Sequence, residues 1–139
     1  MWQEFTRIRL KADNVMDIEE FHSLVTRTVA GLPEEFLSQM ENVDVVVQDY
    51  PSREQMFRGG LQRGYTLLGL YEGVPLTRRG RGYDMVPPDK ITIFQKPIEA
   101  RCRDESEIAA EVQRVVKHEI AHHFGISDAR LLEIERGED

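Results

Sequence analysis

The sequence reads as an α+β fold in a single domain, and three observations carry that reading. Three short runs rich in apolar and β-branched residues, Val43–Asp49, Leu67–Tyr71 and Ile91–Gln95, are bounded by Asn, Gly or Pro, as strands are. Two longer stretches repeat apolar residues at helical spacing: Ile18, Phe21, Leu24, Val25 and Val29, then Ile108, Val112, Val115 and Val116. The length, 139 residues, is enough for one core and leaves no room for a second domain, so residues 1–139 are one unit. The expected architecture is a small sheet packed against an N-terminal helix and a long helix in the second half.

In chain order, residues 1–13 alternate weakly at Phe5, Ile8 and Leu10 and fit either a short strand or an arm. Asp13 or Asn14 is positioned to cap the first helix, with Asp17, Glu19 and Glu20 at its positive end. Gly31 and Pro33 end it, and Glu34–Met40 adds a turn or two. The first strand follows at Val43. Residues 51–64 suit a short helix and then a loop with the Gly59-Gly60 pair. The second strand ends at Gly73 and Pro75. Residues 77–90 are a loop by composition, the third strand starts at Ile91, and Pro97 closes it. Asp104 or Ser106 caps the long helix, and Ser127 opens a last short helix to about Glu135.

Within the long helix stands His118-Glu119-Ile120-Ala121-His122, continued as H-E-x-x-H-x-x-G-x-x-D through Gly125 and Asp128. Positions i and i+4 share one helix face, which sets two imidazoles side by side as a tetrahedral zinc requires. Glu119 projects from the next position round, placed to take a proton from a metal-bound water and not to ligate. Gly125 is able to turn the chain with positive φ, and Asp128 can then reach back as a third ligand, leaving the fourth position open. H-E-x-x-H alone arises by chance in about a few chains per thousand of this length, and the Gly and Asp offsets reduce that by roughly two orders of magnitude.

The motif, together with Gly73-Val74-Pro75-Leu76-Thr77 and Pro88-Asp89-Lys90-Ile91-Thr92-Ile93-Phe94, resembles the small bacterial zincin-like metallopeptidases, which have a minimal metalloprotease domain. The similarity covers roughly residues 65 to 132 and, more weakly, the N-terminal half. It implies a zincin-type α+β fold, a zinc held by His118, His122 and Asp128, and Glu119 as base. The motif is also similar to that of the metzincins, whose chain continues to a Met-containing turn; here the last methionine is Met85, upstream of the motif.

A net charge of −7 argues against a general phosphate-binding surface, so no nucleic-acid partner is expected. The single cysteine, Cys102, excludes an internal disulfide and fits a reducing compartment. The first residues lack the apolar run of a signal peptide and no stretch has the length of a membrane span, so a cytoplasmic location is expected. Arg78-Arg79-Gly80-Arg81-Gly82 suits either an acidic-group site or a solvated loop.

These residues describe a zinc-dependent hydrolase, with a peptide or protein as substrate. Substrate is expected along an exposed sheet edge, supplied by the strand near Ile91–Phe94 or by Leu67–Tyr71. Tyr83, Tyr71 and Tyr65 are the candidates to stabilise the oxyanion. Two rival readings are a metal-dependent RNase, opposed by the acidic charge and by Asp128 in place of a third histidine, and a zinc-stabilised binding module, which has no need of a base at Glu119.

Overall fold

Helix α1 (Ile18–Ala30) begins at a reciprocal cap. Asp17 Oδ1 accepts the Glu20 N–H at 2.8 Å and Glu20 Oε1 accepts the Asp17 N–H at 3.2 Å. The cap is therefore Asp17, because Asp17-x-x-Glu20 satisfies two orphan donors at once. Asp13 and Asn14 lie outside the described residues. The structure, a computed structural model, describes residues 16–59, 66–73 and 88–137, with the Asp128 side chain left outside that description.

After α2 (Glu34–Gln39) come β1 (Val43–Gln48), α3 (Arg53–Arg58, capped by Ser52), β2 (Gly69–Glu72) and β3 (Asp89–Phe94). The second strand starts two residues later than its apolar run. Leu68 still accepts a backbone hydrogen bond from Phe94 at 2.9 Å, but the chain bends there. The third strand starts at Asp89 and stops at Phe94, because Gln95 belongs to a helix that the sequence pattern does not announce, α4 (Gln95–Arg101). Pro97 lies in the first turn of α4, where a missing N–H leaves no bond unmade, so it does not end the chain direction as a breaker would. Gln95 Nε2 donates to Met16 O at 2.7 Å and Glu99 Oε2 accepts the Met16 N–H at 2.8 Å, fixing the approach to α1.

The sheet order is β1-β3-β2, with β1 parallel and β2 antiparallel to β3. Ile91, Thr92, Ile93 and Phe94 on the central strand are all fully buried. Helix α5 (Glu105–Phe124) starts at Asp104, whose carboxylate accepts the Glu107 N–H at 2.9 Å. Its apolar arc, Ile108, Val112, Val116 and Ile120, joins Phe21, Phe36, Ile91, Ile93 and Ile98 in one core. Helix α6 (Asp128–Glu135) is capped by Ser127 and joined to α2 by the Arg130–Glu35 ion pair.

One contact sets how β2 meets α5. A Cβ on Gly69 would lie 2.5 Å from Val115 Cγ1 and 3.3 Å from Thr92 O. Only glycine lets the strand lie this close to the helix. No helix among the described residues is long and apolar enough to cross a membrane.

Candidate metal and catalytic site

The apolar arc of α5 decides where the motif faces. With Val116 and Ile120 turned into the core, His118 and His122 are rotated to the exposed surface, one turn apart. Among the described residues neither imidazole has a hydrogen-bond partner, so their ring nitrogens are uncommitted. The helix stops just beyond them. Gly125 adopts φ 72° and ψ 27°, and its N–H and that of Ile126 both return to Ala121 O.

Glu119 is half-buried against β2. Its Oε1 accepts the Tyr71 backbone N–H at 2.8 Å. Burial pushes its carboxyl above the ordinary range; the Tyr71 N–H and the charge of His122 oppose the shift without cancelling it. A half-buried carboxyl held beside two exposed imidazoles is a candidate for proton transfer. The topology bears on the edge as well: β3 is paired on both sides, and among the described residues β2 pairs on one side only, beside α5.

His118 and Glu119 line a cleft of about 220 Å³ with Thr66, Leu67, Leu68, Gly69, Arg114 and Val115. A larger hollow of about 410 Å³ lies between α1 and the start of α5. It holds no motif residue, and the chemistry belongs with the smaller cleft.

Other expected site residues fall as follows. Asp128 is the first residue of α6, directly after the Ser127 cap, and its side chain lies outside the described residues. Among the described residues no three His, Cys, Asp or Glu side chains converge on one point. Tyr65, Tyr83 and the Arg78–Gly82 run also lie outside the described residues. The Tyr71 hydroxyl donates to Asp89 Oδ2 at 2.7 Å, and its ring stacks on His123 with centroids 3.8 Å apart. What Tyr71 brings to Glu119 is its backbone N–H, which no residue pattern reveals. Arg114 is a further cleft residue that the motif does not flag. Its position four residues before His118, on the same helix face, is the signal the sequence offers.

A helix bearing H-E-x-x-H laid along the edge of a small mixed sheet is a zincin arrangement. The chain belongs to the zincin-like metallopeptidase family, whose model matches residues 40–138. At family level this places it among zinc-dependent peptidases. Among solved structures it is similar to a conserved hypothetical protein from Thermo thermophilus, with 23% identity over 77% of this chain and 92% of that one, and a TM-score of 0.48. No curated protein matches the chain.

Proposed function

We propose that this chain hydrolyses peptide bonds, with zinc held by His118, His122 and Asp128 and with Glu119 as general base. The observation that carries this reading is the placement of Glu119: half-buried, held by the Tyr71 N–H, and on the same helical turn as two exposed histidines that make no hydrogen bond among the described residues. The donor set fits zinc, since imidazole and carboxylate are its ordinary ligands and the two imidazoles have nothing else to bind among the described residues. The cap of α6 is the Ser127 hydroxyl. When bound, zinc supplies a Lewis acid that polarises the scissile carbonyl and acidifies a water.

The chain's own residues do the rest. Glu119 takes the proton of the attacking water and passes it to the leaving amine. The Tyr71 N–H fixes the Glu119 carboxylate against β2. Among the described residues the outer edge of β2 pairs with no strand, and an extended peptide aligns there through backbone groups other than the Tyr71 N–H, which Glu119 occupies.

The test has two arms. Elemental analysis should find close to one zinc per chain in the wild type and almost none in the His118→Ala/His122→Ala double variant; equal zinc in both would refute the metal site. Glu119→Gln should retain zinc and lose hydrolysis of a peptide library, read by mass spectrometry, by a factor on the order of 10². Loss of zinc in that variant would make Glu119 a ligand and refute its role as base.

A further inference from the structure

Resting on the reading of the cleft as a peptidase site, we propose that Arg114 selects a carboxylate on the substrate. The peptides taken would be those with an acidic side chain or a free C-terminus close to the scissile bond. Arg114 lies one turn before His118 on α5 and stands at the border of two hollows, lining the cleft of His118 and Glu119 on one side and, with Glu111 and Arg101, a second one on the other. Its guanidinium is already held in place. Nε donates to Glu111 Oε1 at 3.1 Å and Nη2 to Glu111 Oε2 at 2.8 Å, a side-on pair that fixes the plane of the group. Among the described residues Nη1 has no partner, so one end of the fork keeps its donors.

Glu111 also accepts from Arg101 at 2.9 Å, so one carboxylate serves two guanidiniums. In a chain of net charge −7, an anionic substrate group finds a local cation beside the cleft. Leu67, Leu68 and Val115 line the same space, and their apolar surface strengthens an ionic contact made against it. The competing account is that Arg114 only balances Glu111 on the helix surface.

Peptides sharing one apolar core, made with Glu or Gln at the positions flanking the bond and with free or amidated C-termini, separate the two sources of carboxylate. For the zinc-loaded wild type, kcat/KM should be about tenfold higher for a carboxylate peptide than for its amide counterpart. In Arg114→Gln that ratio should fall towards one, while Arg114→Lys keeps part of it. The form that carries the ratio, side chain or terminus, identifies the source. Arg101 continues to hold Glu111 in both variants, and melting curves check that they fold; if the Gln variant does not, Arg114→Lys alone decides, by a reduced ratio. A wild-type ratio near one, or a ratio unchanged by substitution, overturns the assignment while cleavage itself leaves the peptidase reading standing. Calorimetric binding of the same peptides to Glu119→Gln with one equivalent of zinc keeps the two readings apart. If no peptide is cleaved, the peptidase reading fails, and the assignment of Arg114 survives only if carboxylate peptides bind about tenfold tighter than amides and Arg114→Gln removes the difference.

Discussion

At the scale of the residue, Ser127 caps a helix and Asp128 beside it is the proposed third ligand, so substitutions at the two positions should separate. The Ser127 hydroxyl accepts the Arg130 N–H at 3.1 Å and so caps α6. Ser127→Ala should destabilise the metal-free protein by about 1 kcal/mol, seen in thermal melts, and leave chelator competition for zinc unchanged. Asp128→Asn should do the reverse, weakening zinc by about tenfold or more with little change in the metal-free melting temperature. Zinc bound equally well by Asp128→Asn would move the third ligand elsewhere. The site is legible at this scale wherever its logic is local. Histidines four apart, a glutamate next to the first of them and the glycine stop are all read from local spacing and helix geometry. The hydrogen bond from Tyr71 to Glu119 spans 48 positions and depends on how a strand settles against a helix, so nothing in the local pattern announces it.

At the scale of the element, the approach of β2 to α5 is limited by Gly69 and Val115. Gly69→Ala sets a methyl 2.5 Å from Val115 Cγ1 and should cost about 1–3 kcal/mol in denaturant unfolding. Adding Val115→Ala to that variant should return part of the loss, with a coupling of about 0.5 kcal/mol or more in a double-mutant cycle. Strictly additive effects would show that the strand shifts to avoid the clash. The long helix is legible because caps and apolar period agree over 20 residues. Helix α4 is not, since Pro97 looks like a terminator unless one knows it falls in a first turn. The start of α1 is ambiguous among several cap-competent residues. Asp13 and Asn14 come first in the chain, but the deciding signal is Glu20 three after Asp17, which only the reciprocal cap brings out.

At the scale of the whole molecule, the proposed ligands come from two helices, α5 and α6, joined by a turn of a few residues. Zinc bound across them stabilises the folded chain by mass action, about 2.7 kcal/mol at a free concentration 100 times Kd. Chelation should therefore lower Tm by several degrees in the wild type. The His118→Ala/His122→Ala variant should show no such response in calorimetry. A wild-type Tm indifferent to chelator would mean that the metal does not tie the helices together. Sheet order is beyond the sequence, because pairing β1 in parallel with β3 and setting β2 outside them is decided by packing on α1 and α5. That order gives the Glu119–Tyr71 hydrogen bond a further consequence. An exposed strand edge invites another chain to add to it, and proteins commonly blunt such edges with charge. Glu119 covers the Tyr71 amide and places a carboxyl beside it, a feature that disfavours addition of another chain at that point. Alanine at this position is consequently not a neutral way to silence the site: it bares a strand amide that glutamine, with its carbonyl oxygen, still covers.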